Sequence, residues 1–251
     1  PLPYKDNPHG RRFFRAALDE LVGRMAEIGG RFSEESLDRS LNLYRDIRGL
    51  VLELYQMRYD RRLPLSAQEF LIVILAGFVS PPEKYRTMLR ELIASISRLA
   101  LNGSDDSVPV LVSGSLIEDP RALDILEQCG GRVVADDLCT GLRNFQPPSG
   151  EGLGPMERLI DRYMHRLRCP ARSRAEDRAV LLTELAEQSR SKGVVFLFQK
   201  FCTPHLADHP LVTEELKKRG IPSIMIEMEE TGINEGQMRT RLEAFFEMLR
   251  P

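Results

Sequence analysis

The chain has 251 residues, 42% of them hydrophobic and 29% charged, with 35 basic residues against 37 acidic ones and a net charge of −2. This is the composition of a globular chain long enough to bury its own core, and it excludes disordered, collagen-like and disulfide-stapled mini-protein classes. Basic and acidic residues number 16 and 13 up to Gly103 and 19 and 24 beyond it, so neither half carries the positive excess that binding nucleic acid by counterion release requires.

The opening stretch, Pro1 to Gly10, holds neither an apolar h-region nor an initiating Met, so the chain reads as a fragment with no secretory leader. Up to about Leu101 the apolar residues recur at three and four, as in Leu37, Leu41, Tyr44, Ile47, Val51 and Leu54, and the reading is helical. A first helix spans Phe13 to Ile28 and closes at Gly29-Gly30; Ser33 then caps a second that runs to about Tyr59. Ser66-Ala-Gln-Glu69 has capping-box spacing and opens a helix over Phe70 to Val79, apolar enough to be buried all round. It is the longest apolar run and falls well short of the roughly 18 residues a membrane span needs. Pro81-Pro82 ends it, and Pro82 begins a fourth helix reaching Ala100.

After Asn102-Gly103-Ser104 short apolar runs alternate with amphipathic stretches of helical length, the signature of βαβ units. The expected strands are Pro109 to Ser113, Arg132 to Asp136, Val194 to Gln199 and Ser223 to Met228, each short and mainly apolar as a strand covered on both faces must be. Helices are expected at Pro120 to Gln128 with Asp119 as cap, Pro155 to Arg166, Arg174 to Ser191, His209 to Arg219 and Gln237 to Leu249, with a Pro/Gly/Ser-rich loop at Asn144 to Gly154. The expected fold class is α/β: a helical region over 1–103, then over 104–251 a doubly wound, Rossmann-like, mainly four-stranded parallel sheet.

Ligands of open parallel sheets bind outside the carboxyl ends of the strands. Four loops lie there: Ser113-Gly114-Ser115, Asp136 to Gly141, Lys200 to His205, and Glu229 to Gly236 leading into Gln237. Cys202 draws attention because Lys200 and His205 flank it, and positive charge favours the thiolate that attacks carbon or binds metal; nucleophile, metal ligand and small core hydrophobe all remain open. Cys139 follows Asp136-Asp137, two carboxylates that suit capping a turn or orienting a donor. Cys129 and Cys169 read as structural or incidental, and with no C-x-x-C pair or zinc-type His spacing the four cysteines read as reduced thiols of a cytoplasm. Arginines 158, 162, 166, 168, 172, 174 and 178 suit either a phosphorylated cofactor tail or, more simply, a solvated face interleaved with acids. Gln237 and Arg239 open the last helix behind Gly236, where free N–H groups suit an anion or a thioester carbonyl; the plain alternative is a capped amphipathic helix with Leu242, Phe245 and Phe246 in the core.

Val134-Ala-Asp-Asp-Leu-Cys-Thr-Gly141, Lys200-Phe-Cys-Thr-Pro-His205, Gly220-Ile-Pro222 and Gly236-Gln-Met-Arg-Thr-Arg-Leu-Glu-Ala-Phe245 together resemble the 2-hydroxyacyl-CoA dehydratase subunits of the 2-hydroxyglutaryl-CoA dehydratase D-component type, grouped with the benzoyl-CoA reductase subunits. The likeness is collinear from about residue 3 onward and includes Pro3-Tyr4-Lys5 and the Leu-Tyr-x-x-Arg ending at Arg58. It implies a cytoplasmic, oxygen-sensitive enzyme of anaerobes that carries a 4Fe-4S cluster, acts on a CoA thioester, pairs with a related second subunit and receives single electrons from an ATP-hydrolysing activator protein. Membrane and nucleic acid are not among its partners. In the family, each subunit holds its cluster through three cysteines, in keeping with the softness of iron–sulfur chemistry for thiolate. The resemblance places Cys202 on the last of these ligands, with Cys139 a second candidate and Lys200, His205, Gln237 and Arg239 around the cluster or thioester pocket. Three departures accompany it. The other family ligands belong to an N-terminal α/β domain that the chain lacks on this reading, Thr203 stands where the family has Asp, and Cys-Pro-Cys is reduced to Cys169-Pro170-Ala171.

Overall fold

The computed structural model describes residue 3 and residues 7–99, 106–117, 119–145, 153–165, 169–229 and 234–250. The early helices are α1 (Pro8–Glu27), α2 (Glu34–Tyr59), α3 (Ala67–Val79) and α4 (Pro82–Ile96). Helix α1 starts five residues before the expected Phe13. The Asn7 side chain accepts from the Gly10 N–H at 2.8 Å and Pro8 occupies the first turn, a cap-plus-proline start. Ser33 caps α2 with Ser36 closing the box, and Ser66 caps α3 with Glu69 returning a bond to the Ser66 N–H at 2.8 Å. Contrary to expectation α3 is not buried all round: it hides Ala67, Phe70, Leu71 and Ile74, while Ile72, Phe78 and Val79 are exposed. Its apolar composition exceeds what its packing against α4 and the following layer uses. Among the described residues no helix is long and apolar enough to cross a membrane.

The remaining elements alternate: β1 (Val108–Gly114), α5 (Arg121–Gln128), β2 (Gly131–Asp137), a single 3-10 turn (Leu142–Asn144), α6 (Pro155–His165), α7 (Ala175–Gln188), β3 (Gly193–Gln199), α8 (Thr203–Lys218), β4 (Ser223–Met228) and α9 (Glu235–Leu249). All four strands are parallel, in the order β2-β1-β3-β4. The fold is therefore α/β with a helical first part and a doubly wound sheet. The order reverses between β1 and β3, because the chain leaves β1 toward β2 and later crosses back to lie on the other side of β1; the crevice at such a switch point is where open sheets receive ligands. Helix α8 differs from expectation. It begins at Thr203, not His209, since Pro204 is tolerated in the first turn and Pro210 lies inside the helix.

Side-chain alternation along the strands splits the core in two. Leu111, Val194, Phe196 and Phe198 pack on one face with Val51, Leu54, Leu89, Leu182 and Leu216, whereas Val110, Val112, Val195 and Leu197 pack on the other with Leu123, Leu126, Leu242 and Phe246. The outer edge of β2 is sealed by side chains rather than by another strand: the Val133 carbonyl accepts from Arg58 Nε at 2.6 Å and the Val133 N–H donates to Glu127 Oε1 at 3.2 Å. The other Glu127 oxygen takes the Ala67 N–H at 2.8 Å, and the Arg58 guanidinium lies 4.5 Å from the centre of the Phe70 ring. The sheet edge is thus stitched to α2 and α3. Helix α1, which buries no residue, is held to α6 by Arg11–Asp161 at 2.7 Å and Arg15–Glu157 at 3.0 Å.

A Cβ on Gly114 would overlap the Leu197 carbonyl oxygen of β3, backbone that has no flexible end to give way. Gly114→Ala is therefore expected to cost about 1–3 kcal/mol, the range for overpacking a filled core. Gly49→Ala, exposed in α2 with open space around it, is expected to gain about 0.5–1 kcal/mol. Urea unfolding of the two variants should shift in opposite directions; a shift of the same sign in both would refute the packing argument.

Candidate functional site

The carboxyl ends of β1 and β3 are locked together at the switch point. The Ser115 N–H donates to the Leu197 carbonyl at 3.2 Å, and Ser115 Oγ accepts from the Gln199 N–H at 2.8 Å. Beyond Gln199 the chain turns sharply: the Cys202 N–H reaches back to the Gln199 carbonyl at 3.0 Å and the Thr203 N–H to the Phe201 carbonyl at 2.7 Å. Between them Phe201 sits in the left-handed region at φ +68°, the residue 82% exposed. For a residue with a Cβ that conformation costs roughly 1–2 kcal/mol, and such strain gathers at functional turns. It delivers Cys202 as the residue that caps α8, half-buried, on the edge where ligands of this fold bind.

One turn into α8, buried His205 places Nδ1 3.2 Å from Cys202 Sγ, with its ring against Phe198. The Nε2 side faces Arg143, whose Nη2 and Nη1 stand 3.4 and 3.5 Å away. Arg143 comes from the 3-10 turn after β2, and its Nη1 also donates to Cys139 Sγ at 3.2 Å. One guanidinium and one imidazole thus bridge the two cysteine sulfurs expected at this edge.

Asp137 holds the bridge in place. Its carboxylate accepts from Arg143 Nε at 2.6 Å and Nη2 at 2.7 Å, from Arg178 Nη2 at 3.3 Å and from Ser113 Oγ at 2.9 Å. Arg178, fully buried in α7, also reaches Asp208 Oδ2 of α8 at 3.2 Å, so two buried arginines face two acids. Burial alone would push the Asp137 carboxyl up, but the charge and hydrogen bonds of Arg143, then Arg178 and Ser113, hold it below the ordinary carboxylate range. Arg143 is correspondingly raised: burial opposes its charge and Asp137 more than compensates. Burial, aided by the positive charges of Arg143 and Arg178, drives His205 down to about 3. Burial also pushes the Cys139 thiol up, against the pull of Arg143. The expectation that His205 brings positive charge to Cys202 is therefore corrected: the ring is neutral near pH 7 and offers a hydrogen bond.

The other expected residues are placed elsewhere. Lys200 Nζ pairs with Glu229 Oε1 at 2.8 Å, and Arg239 bonds Glu235 in its own helix and Gln128 of α5 at 2.6 Å. Gln237 is exposed, its N–H capped by Asn234 at 3.2 Å. Cys129 is buried at the end of α5, as expected of a structural thiol, and Cys169 is half-buried and feels Arg143 and Cys139 electrostatically. The arginine set is not a solvated face. Arg162 and Arg178 are buried, Arg172 donates to the Pro3, Tyr163 and Met164 carbonyls, Arg158 pairs with Asp38, and Arg174 is exposed. Positions 166 and 168 lie outside the described residues, as do Tyr4, Lys5, 100–105, 146–152 of the expected Pro/Gly/Ser-rich loop and 230–233 of the loop before α9. Arg143 is the residue of this cluster that sequence reasoning passes over, and its only local signal is its position four residues past Cys139 and two past the turn glycine, Gly141. Among the described residues no three His, Cys, Asp or Glu side chains are grouped to hold a metal ion. The cluster supplies two hydrogen-bonded sulfurs, a neutral imidazole and a fixed cation, with the Cys169 sulfur near enough to interact with Arg143 and Cys139.

A family model described as 2-hydroxyglutaryl-CoA dehydratase, D-component, matches residues 1–249. The chain is similar to the lactoyl-CoA dehydratase subunit beta of Anaerotignum propionicum, 29% identical over 235 residues that cover 92% of this chain and 62% of that protein. A benzoyl-CoA reductase subunit of Thauera aromatica is 26% identical over 248 residues, covering 95% and 62%, and the (R)-2-hydroxyglutaryl-CoA dehydratase subunit beta of Acidaminococcus fermentans 23% over 251 residues, covering 98% and 66%. The chain spans less than two thirds of the length of each of these relatives.

The depressed His205 value has a sign that can be tested. An unfolded histidine takes up its proton near pH 6.5, whereas His205 in the fold resists down to about 3. Its contribution to stability is complete above pH 6.5 and drains away between 6.5 and 3 as the unfolded state gains the proton first. Urea unfolding at pH 7 and pH 5 is expected to lose more stability in the wild type than in His205→Gln; an equal loss in both would show that His205 is not held neutral.

Proposed function

The chain belongs to the 2-hydroxyglutaryl-CoA dehydratase D-component family, and from that premise we propose that it is a portion of one subunit of an iron–sulfur 2-hydroxyacyl-CoA dehydratase. The whole enzyme would eliminate water from its CoA thioester through a ketyl radical, after one-electron activation by an ATP-hydrolysing partner in the cytoplasm, and a related second subunit would complete it. The observation that carries the proposal is the position of Cys202, delivered by a strained turn to the carboxyl edge at the switch point and hydrogen-bonded to His205.

A 4Fe-4S cluster asks for several thiolates converging on one spot, and the described residues do not by themselves fit a complete site. Cys202 and Cys139 are bridged through His205 and Arg143, which hold the sulfurs to a guanidinium–imidazole pair rather than to each other. In the proposal Cys202 contributes one thiolate and the remainder come from residues outside the 251; Cys139, its thiol raised by burial, is the weaker donor. What this chain's own residues do is limited and definite. Asp137 fixes Arg143, Arg143 fixes His205, and His205 orients the Cys202 sulfur. Lys200, Gln237 and Arg239 are proposed for the surroundings of the thioester, although among the described residues Lys200 pairs with Glu229, Arg239 bonds Glu235 and Gln128, and none of them bonds to the Cys202 cluster.

A second reading, reduction of an aromatic acyl-CoA, is supported by the comparable identity to the benzoyl-CoA reductase relative, 26% against 29% for the lactoyl-CoA dehydratase one. Iron content tests what both readings share. In the full-length protein, prepared with its partner subunit without oxygen, Cys202→Ser is expected to lose most of its iron with the fold intact by circular dichroism, and Cys169→Ser to retain it. Normal iron in Cys202→Ser would overturn the ligand assignment, and absence of iron from the well-folded wild-type complex would leave a non-catalytic scaffold of the same fold. With iron present, assay of 2-hydroxyacyl-CoA against aromatic acyl-CoA in the presence of the activator separates dehydratase from reductase.

A further inference from the structure

We propose that Arg143 is a positioning residue that fixes His205 in its Nδ1–H tautomer, so that the imidazole donates to the sulfur of Cys202. The argument starts from what a guanidinium can do: it carries N–H donors and no acceptor. Two of its nitrogens, Nη2 and Nη1, stand 3.4 and 3.5 Å from His205 Nε2; Nη2 gives its two hydrogens to the Asp137 carboxylate and carbonyl, so the donor turned to the ring is Nη1, whose other hydrogen goes to Cys139 Sγ. A proton on Nε2 would point at that donor, so the geometry favours a lone pair on Nε2. Arg143 has no freedom to turn away, because Asp137 grips Nε and Nη2 at 2.6 and 2.7 Å and its backbone carbonyl takes Nη2 again at 2.9 Å. With Nε2 bare, a neutral ring carries its proton on Nδ1, which lies 3.2 Å from Cys202 Sγ. The hydrogen bond therefore runs from nitrogen to sulfur, and its direction is dictated from the turn after β2, 62 residues earlier in the chain than His205.

A sulfur that accepts an N–H bond is held in one orientation and keeps negative charge more readily. That use of the bond rests on the reading of Cys202 as a thiolate donor; the tautomer itself rests on geometry alone, and the iron measurement above and the measurement below fail independently.

The chain has four histidines, at positions 9, 165, 205 and 209, few enough for long-range proton–nitrogen NMR of the 251-residue protein labelled with 15N in histidine, the His205 ring being assigned by its loss in His205→Gln. The expected wild-type pattern has a protonated Nδ1 and a bare Nε2 for His205. Cys202→Ala should move the Nδ1 proton resonance and leave Nε2 bare, since the sulfur receives the bond but does not choose the tautomer. Arg143→Gln, whose amide oxygen can accept, should let the Nε2–H form appear while the His209 signals stay in place. The ring also lies within hydrogen-bond reach of the Gly114 backbone, a contact that favours a protonated ring nitrogen, so the Gly114 carbonyl is the competing acceptor. A wild-type ring protonated on Nε2, with that proton turned to the Gly114 carbonyl instead of a lone pair turned to the guanidinium, overturns the proposal, as does a pattern unchanged in folded Arg143→Gln. Should Arg143→Gln fail to fold, the wild-type tautomer and the Cys202→Ala shift decide the matter.

Discussion

Two adjacent carboxylates at the end of one strand set the terms for the rest of this molecule. Side chains alternate along a strand, so Asp136 and Asp137 leave β2 on opposite faces of the sheet. Asp136 accepts from the Tyr55 hydroxyl at 2.8 Å and from the Leu142 N–H at 2.9 Å, tying α2 to the turn that follows β2. Burial raises its carboxyl and the nearby Arg58 charge opposes the rise. Asp137, on the other face, gathers Arg143 and Arg178. Removing one partner from a buried pair of this kind costs about 3–5 kcal/mol, since the charge left behind has no water to turn to. The helical part, the turn and the far helices α7 and α8 are registered to the sheet through these two side chains.

That registration explains why the candidate site is stiff where it needs to be. Gly141 must be glycine because a Cβ there would overlap Asp136 Oδ1, so the turn closes tightly enough to send Arg143 back over Asp137. The guanidinium then spans from Cys139 Sγ to His205, and His205 to Cys202. The two thiols sit in unlike surroundings. Cys139 accepts from a charged donor, whereas Cys202, equally half-buried, stands at the N-cap position of α8 beside the exposed Phe201 and meets the neutral His205 ring.

Local signals carry much of this architecture. The capping boxes at Ser33 and Ser66 act within three residues, and the strands announce themselves as apolar runs, so α2, α3 and all four strands are legible with ends off by a few residues at most. The start of α8 is hidden by its two prolines, because Pro210 reads as a first-turn proline when Pro204 already fills that role. The exposure of Ile72 and Val79 is hidden too, since composition says how apolar a helix is and not how much of it finds a neighbour. Of the site, the cysteines and His205 can be read from their loops. Arg143 and Arg178 cannot: an arginine in an amphipathic stretch is ordinarily a surface residue, and Asp137 and Asp208, 41 and 30 positions from Arg178, are what make it tolerable buried.

The sealed edge of β2 also gives the sheet a polarity across its width. With the Val133 amide and carbonyl engaged by Glu127 and Arg58, an incoming strand finds no free ladder at that point. The other end of the sheet is β4, which pairs with β3 and has half-buried residues over its first three positions. Among the described residues β4 pairs with β3 alone, so an added strand, whether from a neighbouring domain or from a misfolded copy acting as a template, meets less obstruction along β4 than at Val133 of β2.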